Sequence, residues 1–168
     1  MKNIILFSTI VGLLSFNANA AGPSSGKINF NGTVVDSPCN ISGASADQSI
    51  DLGLVSKSIL NNGGTSVPKD INITLENCDT KTVGKAKITF SGNTDGAETL
   101  LASGTAQNVG IKINGYGKDV KFGTPTDAIK IVDGSNTLHF TAWAVKSGAV
   151  DVTEGNFSAV SNFNIAYE

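Results

Sequence analysis

Residues 153–168 read TEGNFSAVSNFNIAYE, and the second half of this stretch has the pattern of a half-buried β-strand. Phe163, Ile165 and Tyr167 alternate with polar or small residues, and Glu168 follows them. Successive side chains of a strand point to opposite faces, so this period of two gives the strand one apolar face. We therefore expect the sequence to finish on an apolar strand that no later strand covers.

A second strand-like segment lies near the start of the sequence and lacks the means to anchor itself. Ile28 and Phe30 alternate with polar residues, and the preceding residues 22–26 read GPSSG. Counting back from Phe30 at period two places these residues on one face: Phe30, Ile28, Gly26, Ser24 and Gly22. A loose arm at one end and an uncovered apolar strand at the other favour pairing with another copy of the chain. The sequence therefore points to assembly rather than to catalysis.

Residues 1–20 have the features of a secretory signal peptide. Lys2 gives a basic start, an apolar run covers 4–16, and Ala18 and Ala20 form a small-x-small cleavage signal. The apolar run has about 13 residues, whereas a helix that spans a membrane needs about 20. We expect the mature chain to begin at Ala21 and to have the length of one domain.

The net charge does not favour a nucleic-acid partner. The sequence carries a formal charge of −2 at pH 7, and removal of the basic leader residue makes it slightly more negative. Binding to nucleic acid or to an acidic membrane normally requires a strongly basic surface. We therefore expect no nucleic-acid partner.

The two cysteines, Cys39 and Cys78, are expected to form a disulfide because an exported chain reaches an oxidising compartment. On the chain-entropy account, closing this loop stabilises the fold by about 3 to 4 kcal/mol. Two buried unpaired thiols remain the alternative. A metal site has little support, since the sequence has one histidine and no Cys-x-x-Cys spacing, and we expect no cofactor.

Short strand patterns separated by turn residues fill the rest of the chain. We expect strands over residues 28–36, 71–78, 86–90, 109–113, 120–122, 129–132, 137–145 and 157–167. The intervening segments are rich in glycine, asparagine and aspartate, which favour turns. Many short strands with this spacing predict an antiparallel β-sandwich, and the one short helix that we expect lies at 56–60.

The residues that catalysis would need are not arranged for it. His139 lies between Leu138 and Phe140, and this alternation predicts a surface histidine, with a general base as the alternative. No Gly-x-Ser-x-Gly motif supports a Ser-His-Asp site. Residues 115–117 are typical of a turn rather than of a dinucleotide site, and Asp95 is typical of a turn rather than of a calcium ligand. We predict that the chain is not an enzyme.

Four stretches of the sequence resemble the pilins of the chaperone-usher pathway, and most closely the P-pilus type of major pilin. They are GKINFNGTVVDSPC at 26–39, SADQSIDLGLVSKS at 45–58, LENC at 75–78 and TEGNFSAVSNFNIAYE at 153–168. Gly155 is fourteenth from the end and Tyr167 is penultimate, as in the C-terminal motif of that family. Trp143 stands where a smaller aliphatic residue is more typical, so the resemblance assigns it no role.

The resemblance implies an immunoglobulin-like sandwich that lacks its final strand and is completed by donor-strand complementation. A periplasmic chaperone first fills the groove beside the last strand, and the N-terminal extension of the next subunit then replaces it at an outer-membrane usher. Residues 21–33 are then the donor extension, and residues 34–168 form the pilin domain. The implied groove and chaperone-binding residues of the C-terminal strand are Gly155, Phe157, Phe163, Ile165, Tyr167 and Glu168.

The function implied is that of a structural subunit of an adhesive fimbria of a Gram-negative bacterium. The chain would be exported through the periplasm to the cell-surface fimbrium. Its partners would be other copies of itself, minor pilus subunits, the chaperone and the usher. A minor or tip-located carbohydrate-binding subunit of the same architecture remains the alternative, since fold does not fix function. One tryptophan and two tyrosines offer little aromatic surface for stacking on a sugar.

Overall fold

The structure is a computed structural model that describes residues 25–32, 34 and 37–168. The predicted signal peptide and the donor residues Gly22 and Ser24 lie outside the described residues. The chain divides into two units, residues 1–34 and 35–168. Within the first unit, the described residues 25–32 and 34 belong to no helix or strand, and all of them are exposed.

The second unit contains, within its described residues, twelve strands and two short helices. The strands are β1 (Asn40–Ile41), β2 (Lys69–Cys78), β3 (Lys85–Gly92), β4 (Thr94–Asp95), β5 (Thr99–Leu101), β6 (Ser103–Gly104), β7 (Val109–Gly115), β8 (Lys118–Asp119), β9 (Ile129–Lys130), β10 (Gly134–Lys146), β11 (Phe157–Ser158) and β12 (Ser161–Tyr167). The helices are α1 (Gly43–Ala46) and α2 (Lys57–Asn61). Neither has the length or the apolar composition to cross a membrane, and the described part of the chain holds no other helix.

The strands form an antiparallel sandwich, as the sequence predicted. The larger sheet has the order β1-β2-β10-β7-β5-β4, with β8 also paired to β7. A second sheet has the order β12-β3-β9, and β11 pairs with β6. Long strands with alternating side chains bury one face each, and these faces meet between the two larger sheets.

The core draws its side chains from both sheets. Ile73 and Leu75 of β2 are fully buried, as is Ile88 of β3. Phe90 of β3 meets Phe140 of β10 across the core, with ring centroids 5.1 Å apart in an edge-to-face arrangement. Edge-to-face contact is a favoured geometry for aromatic pairs and adds to the stability gained from burial alone.

A disulfide joins Cys39 to Cys78, which confirms the predicted pairing. Both cysteines are buried, and the backbone amide of Asp79 donates a hydrogen bond to the carbonyl of Pro38 beside them. The bond therefore fixes the start of the second unit to the end of β2.

The predicted last strand, 157–167, is wrong as a single element, because the chain changes partner within it. Phe157 lies opposite Gly104 of β6, whereas β12 pairs with β3 from Ser161 onward. Ala159 and Val160, between the two strands, are exposed and belong to neither. A partner switch of this kind depends on distant parts of the chain, so the period-two pattern does not reveal it.

Two other strand predictions also differ from the structure. Val120 is buried, but it follows the short strand β8 and belongs to a loop, where its amide bonds to the carbonyl of Ile113. The described residues of the predicted strand 28–36 form no strand. The predicted helix at 56–60 is present as α2, and the Ser56 hydroxyl caps it by accepting a hydrogen bond from the amide of Ile59.

Candidate functional site

The last strand, β12, is paired along one edge only within the part of the chain that the structure describes. It runs antiparallel to β3, from Ser161 opposite Gly92 to Tyr167 opposite Ala86. It is the outermost strand of its sheet, so the backbone groups along its second edge meet no described strand. A strand edge of this kind is a template for pairing with a further strand.

The inward side chains of β12 are less buried than those of its neighbour. Phe163, Ile165 and Tyr167 pack against the core but remain half-buried. Their cross-strand partners on β3 are buried, and among them Ile88 is fully inaccessible. The apolar face predicted from the sequence therefore exists, and it remains partly exposed to solvent.

A groove of about 1120 Å³ lies along this region. Its floor is apolar and comes from both sheets, with Ile71, Phe90, Leu100, Ile111, Ile113 and Ala142 among the lining residues. One wall is formed by residues 155–163 and the opposite wall by residues 45–55. Pockets for small ligands typically enclose about 300 to 1,000 Å³, so this groove is larger than is usual for a small molecule and suits an extended peptide.

The second wall of the groove is also without a strand partner. Residues 48–56 form no helix or strand, although Leu52 and Val55 pack against the core. Leu54, by contrast, is fully exposed. Sequence reasoning did not identify this wall. The local signal available in the sequence is the alternation of Ile50 and Leu52 with the polar residues Ser49 and Asp51, and this alternation ends before the exposed Leu54.

Gly155 lies at the lip of the groove in a conformation that favours glycine. Its φ is +146°, and a Cβ at this position would lie 2.6 Å from the carbonyl carbon of Thr105. The next residue, Asn156, accepts a hydrogen bond from the amide of Ala106 and donates one to the Thr105 hydroxyl. The glycine therefore allows two backbone segments to approach closely where the wall of the groove begins.

Helix α2 contacts residues 152 and 154, which come shortly before Gly155 in the chain. The Asn61 side chain exchanges two hydrogen bonds with the backbone of Val152, at 2.7 and 3.3 Å. The ammonium of Lys57 lies 2.7 Å from the carboxylate of Glu154, and this hydrogen bond holds the pKa of Glu154 below its ordinary value. A smaller cavity of about 250 Å³ lies beneath these contacts.

Glu168 continues the β12 ladder beyond Tyr167. Its carbonyl accepts hydrogen bonds from the amides of Gly84 and Lys85, at 3.0 and 2.9 Å. Its side chain lies 2.7 Å from the Lys87 ammonium, and that hydrogen bond lowers the pKa of Glu168. At Tyr167, burial raises the pKa of the phenol, and a hydrogen bond to Ser37 partly offsets the rise.

The predicted groove residues do not all occupy the same surface. Gly155, Phe157 and Phe163 line the groove. Ile165 and Tyr167 pack against the core beyond it, toward the far end of β12. The binding roles of these residues remain predictions.

The predicted donor face projects into solvent in the first unit. Ile28 and Phe30 are 77 and 89% exposed, and Val34, which has the same parity, is fully exposed. No atom lies within 4 Å of a Cβ built on Gly26, and its φ is outside the range that favours glycine. Nothing among the described residues of this chain therefore requires a glycine at position 26.

The candidate catalytic residues lie apart from the groove. His139 is exposed on the outer side of β10, as predicted, with its Nδ1 2.7 Å from the Asn72 side-chain oxygen. Tyr116 and Gly117 form the tight turn between β7 and β8. The Asp95 carboxylate accepts a hydrogen bond from Ser147. Within the described residues, no group of three or more His, Cys, Asp or Glu side chains is placed to hold a metal ion.

Comparison with known proteins identifies the family of this chain. The family model described as "Fimbrial protein" matches residues 28–168. The PRS fimbrial major pilin protein of Escherichia coli is 49% identical over 160 residues, which cover 90% of this chain and 99% of the relative.

Two solved structures give the same result. A crystal structure of the P pilus rod subunit PapA is 43% identical, with a TM-score of 0.74 over 79% of this chain and all of that one. A structure of a chaperone-usher pilus that addresses rod uncoiling is 46% identical, with a TM-score of 0.78 over 86% of this chain and 96% of that one. The chain belongs to the fimbrial protein family, and its fold is that of the chaperone-usher pilins.

Proposed function

We propose that this chain is a structural subunit of a pilus rod, and that it polymerises by inserting its N-terminal extension into the groove of the next copy. The observation that carries the proposal is the apolar groove between β12 and residues 45–55, because β12 has one open edge and residues 48–56 belong to no strand in the described part of the chain. An extended segment placed there would pair with the open edge of β12 and would also cover the exposed apolar core.

The donor segment of the proposal is residues 21–33, and the pilin domain is residues 34–168. The face that enters the groove consists of Gly22, Ser24, Gly26, Ile28 and Phe30. Burial of Ile28 and Phe30 contributes roughly 1.5 to 3 kcal/mol for each side chain. Gly26 allows close approach of the arm where the groove is narrowed by core side chains.

The arm and the groove are different surfaces of one chain, and this decides the form of the assembly. A contact between two different surfaces is heterologous, so each added copy presents a fresh groove or a fresh arm. Unless successive contacts close into a ring of subunits, they produce an open filament. Other copies of the same protein are therefore its main partners. Minor pilus subunits join the filament through the same kind of contact.

Before assembly, the open groove needs a temporary cover. An unpaired edge beside exposed apolar side chains is an aggregation hazard. A periplasmic chaperone supplies a strand to the groove and grips the terminal carboxylate of Glu168 through charge-assisted hydrogen bonds. An outer-membrane usher then directs the exchange and export to the cell-surface fimbrium.

The proposal assigns no catalytic activity to the chain, in keeping with relatives that are major pilins. The carbohydrate-binding alternative has no observation of its own in the structure. Trp143, the single tryptophan, is half-buried in β10 opposite Lys112 rather than displayed on a loop.

A peptide experiment tests the proposal. The chain is purified with its chaperone, and a synthetic peptide of residues 21–34 is added while release of the chaperone is followed on a native gel. We expect the peptide to displace the chaperone, an Ile28→Asp peptide to fail, and an Asn29→Asp peptide to succeed because residue 29 lies on the opposite face. If all three peptides behave alike, the arm is not the donor and the proposal is wrong.

A further inference from the structure

Asparagine is followed by glycine three times in this sequence, at 31–32, 62–63 and 114–115. Such a pair is prone to deamidation, because the backbone nitrogen of the second residue attacks the asparagine side chain and glycine offers no Cβ to obstruct it. The attack requires a free backbone amide and a main chain that can leave the extended or helical geometry. The three pairs have the same chemistry, so their surroundings determine which one reacts.

The pair at 62–63 is held by the end of α2. The Asn62 side chain donates a hydrogen bond to the carbonyl of Ser58 at 2.9 Å. The amide of Gly63, which would be the attacking nitrogen, donates to the carbonyl of Leu60 at 3.0 Å. Reaction at this site requires the helix end to open first.

The pair at 114–115 is held by a sheet. Asn114 and Gly115 are the last two residues of β7, which is paired with β10 on one side and β8 on the other. The Asn114 side chain also donates a hydrogen bond to the Asp119 carboxylate at 2.8 Å. The ladder keeps this backbone extended, so reaction requires the sheet to open.

The pair at 31–32 has none of these restraints. Asn31 and Gly32 are exposed and lie outside any helix or strand, and no hydrogen bond joins either to another described residue. No atom lies within 4 Å of a Cβ built on Gly32. This pair also lies in the arm, one residue after Phe30.

From these contrasts, and resting on the proposed function, we propose that Asn31 is a deamidation site of the unassembled subunit that becomes protected when the arm enters a neighbouring groove. The Gly32 nitrogen bonds to Cγ of Asn31, and the side-chain nitrogen leaves as ammonia with the proton from the Gly32 amide. Water then opens the five-membered succinimide at one of its two carbonyls and gives aspartate or isoaspartate. No electrons are gained or lost.

The isoaspartate product damages the arm as a donor. In isoaspartate the peptide bond to Gly32 is formed by the former side-chain carbonyl. The Cβ atom therefore becomes part of the main chain, which gains one backbone atom between Phe30 and Gly32. A strand needs regular spacing both to pair and to keep alternate side chains on one face. An inserted arm, in contrast, has partners on both edges, and its paired and extended backbone stops the reaction. Subunits that stay unassembled long enough to form isoaspartate at position 31 therefore lose their ability to extend the filament.

The first test follows the three sites directly. The chain held by its chaperone is incubated at neutral pH, and peptide mapping measures conversion of amide to carboxylate at each asparagine. We expect Asn31 to react more than about tenfold faster than Asn62 or Asn114, since the latter two react only after local opening. In assembled filaments the Asn31 rate should fall to that of the other two. Equal rates at the three sites in the unassembled chain would overturn the proposal.

The second test uses matched variants. Asn31→Gln retains an amide but forms a larger ring more slowly, so after incubation it should retain the polymerisation rate that the same variant shows when fresh. Asn62→Gln is the control and should lose polymerisation rate on ageing as the unmodified chain does. If chains that carry isoaspartate at 31 polymerise at the fresh rate, the proposed consequence is wrong. A fresh chain that does not polymerise at all would instead contradict the proposed function, because the site reactivity is measured independently.

Discussion

Phe163 of β12 lies directly opposite Phe90 of β3, with ring centroids 6.3 Å apart, yet the two rings are unequally buried. Phe90 is 3% exposed, whereas Phe163 is half-buried and lines the groove. Two aromatic residues that face each other across a strand pair are normally buried to a similar extent. The difference marks the side from which a strand is absent among the described residues.

Filling the groove within one chain should therefore raise stability. We predict that adding residues 22–34 after Glu168 through a short flexible linker yields a soluble monomer with a much higher unfolding midpoint. The linker raises the effective concentration of the strand to the millimolar range, and we expect the added strand to run antiparallel to β12. Thermal unfolding by circular dichroism and size-exclusion chromatography are the measurements. A linked arm with Ile28→Asp in the added copy is the control, and an unmodified chain that is equally stable and monomeric would show that the fold is already complete.

Gly26 should be intolerant of a side chain only in the assembled state. Gly26→Val leaves the isolated subunit unchanged, because no neighbour lies within 4 Å of the new Cβ. In the groove the same side chain meets core residues, so we expect polymerisation to slow by more than about tenfold, the effect of about 1.4 kcal/mol on the barrier. Light scattering during chaperone release measures the rate. Ser25→Val, on the opposite face of the arm, is the matched control, and equal rates for the two variants would remove Gly26 from the donor face.

Deleting residues 166–168 should abolish capture by the chaperone. The deletion removes Tyr167 and the ladder contacts of Glu168 with Gly84 and Lys85. We expect the shortened subunit to be lost from the periplasm and not to co-purify with the chaperone. Glu168→Gln is the control, because it breaks only the exposed ion pair with Lys87 and retains the backbone contacts. Normal capture of the shortened chain would contradict this prediction.

Asp133 should make stability depend on pH in the acid range. Its carboxylate accepts hydrogen bonds from the hydroxyl and the backbone amide of Thr80, at 2.6 and 2.7 Å, and these lower its pKa. A lowered folded-state pKa means that the contribution is fully present above the unfolded value of about 4 and is lost as the pH falls through the folded value.

Asp133→Asn should therefore destabilise the monomeric linked chain at neutral pH and differ less from it in the acid range. Unfolding midpoints measured from neutral to acid pH give the comparison. Asp70→Asn, at an exposed position of β2, is the control. A difference between Asp133→Asn and the linked chain that does not change with pH would rule out the carboxylate as the cause.

The elements that could be predicted from the sequence are those whose signal is local. Alternation at Phe163, Ile165 and Tyr167 was sufficient to predict the face of β12, and it appears as predicted. Ser56 followed by a short run of helix-compatible residues predicted α2. The pairing of Cys39 with Cys78 followed from the export signal and the cysteine count alone.

The elements that could not be predicted depend on distant partners. Helix α1 has four residues, and its Ser45 hydroxyl accepts a hydrogen bond from the Thr74 amide of β2, which no local pattern reveals. The break between β11 and β12 depends on β6, more than fifty residues earlier in the chain. The groove itself is produced by two walls that are far apart in sequence, and only folding brings them together.

The open edge of β12 also determines how a filament built by insertion of the arm would bear load. In the proposed assembly, an inserted arm would run alongside β12 and continue along the chain into its own subunit, so tension between subunits would pull the arm along its length. In that direction all the ladder hydrogen bonds on both edges are sheared together and must break together, whereas a strand peeled from one end breaks them one at a time. The lifetime of such a joint under force is set by the rate of this concerted rupture rather than by equilibrium affinity. In the proposed filament, pairing of the arm along the open edge of β12 would therefore make each joint resistant to pulling.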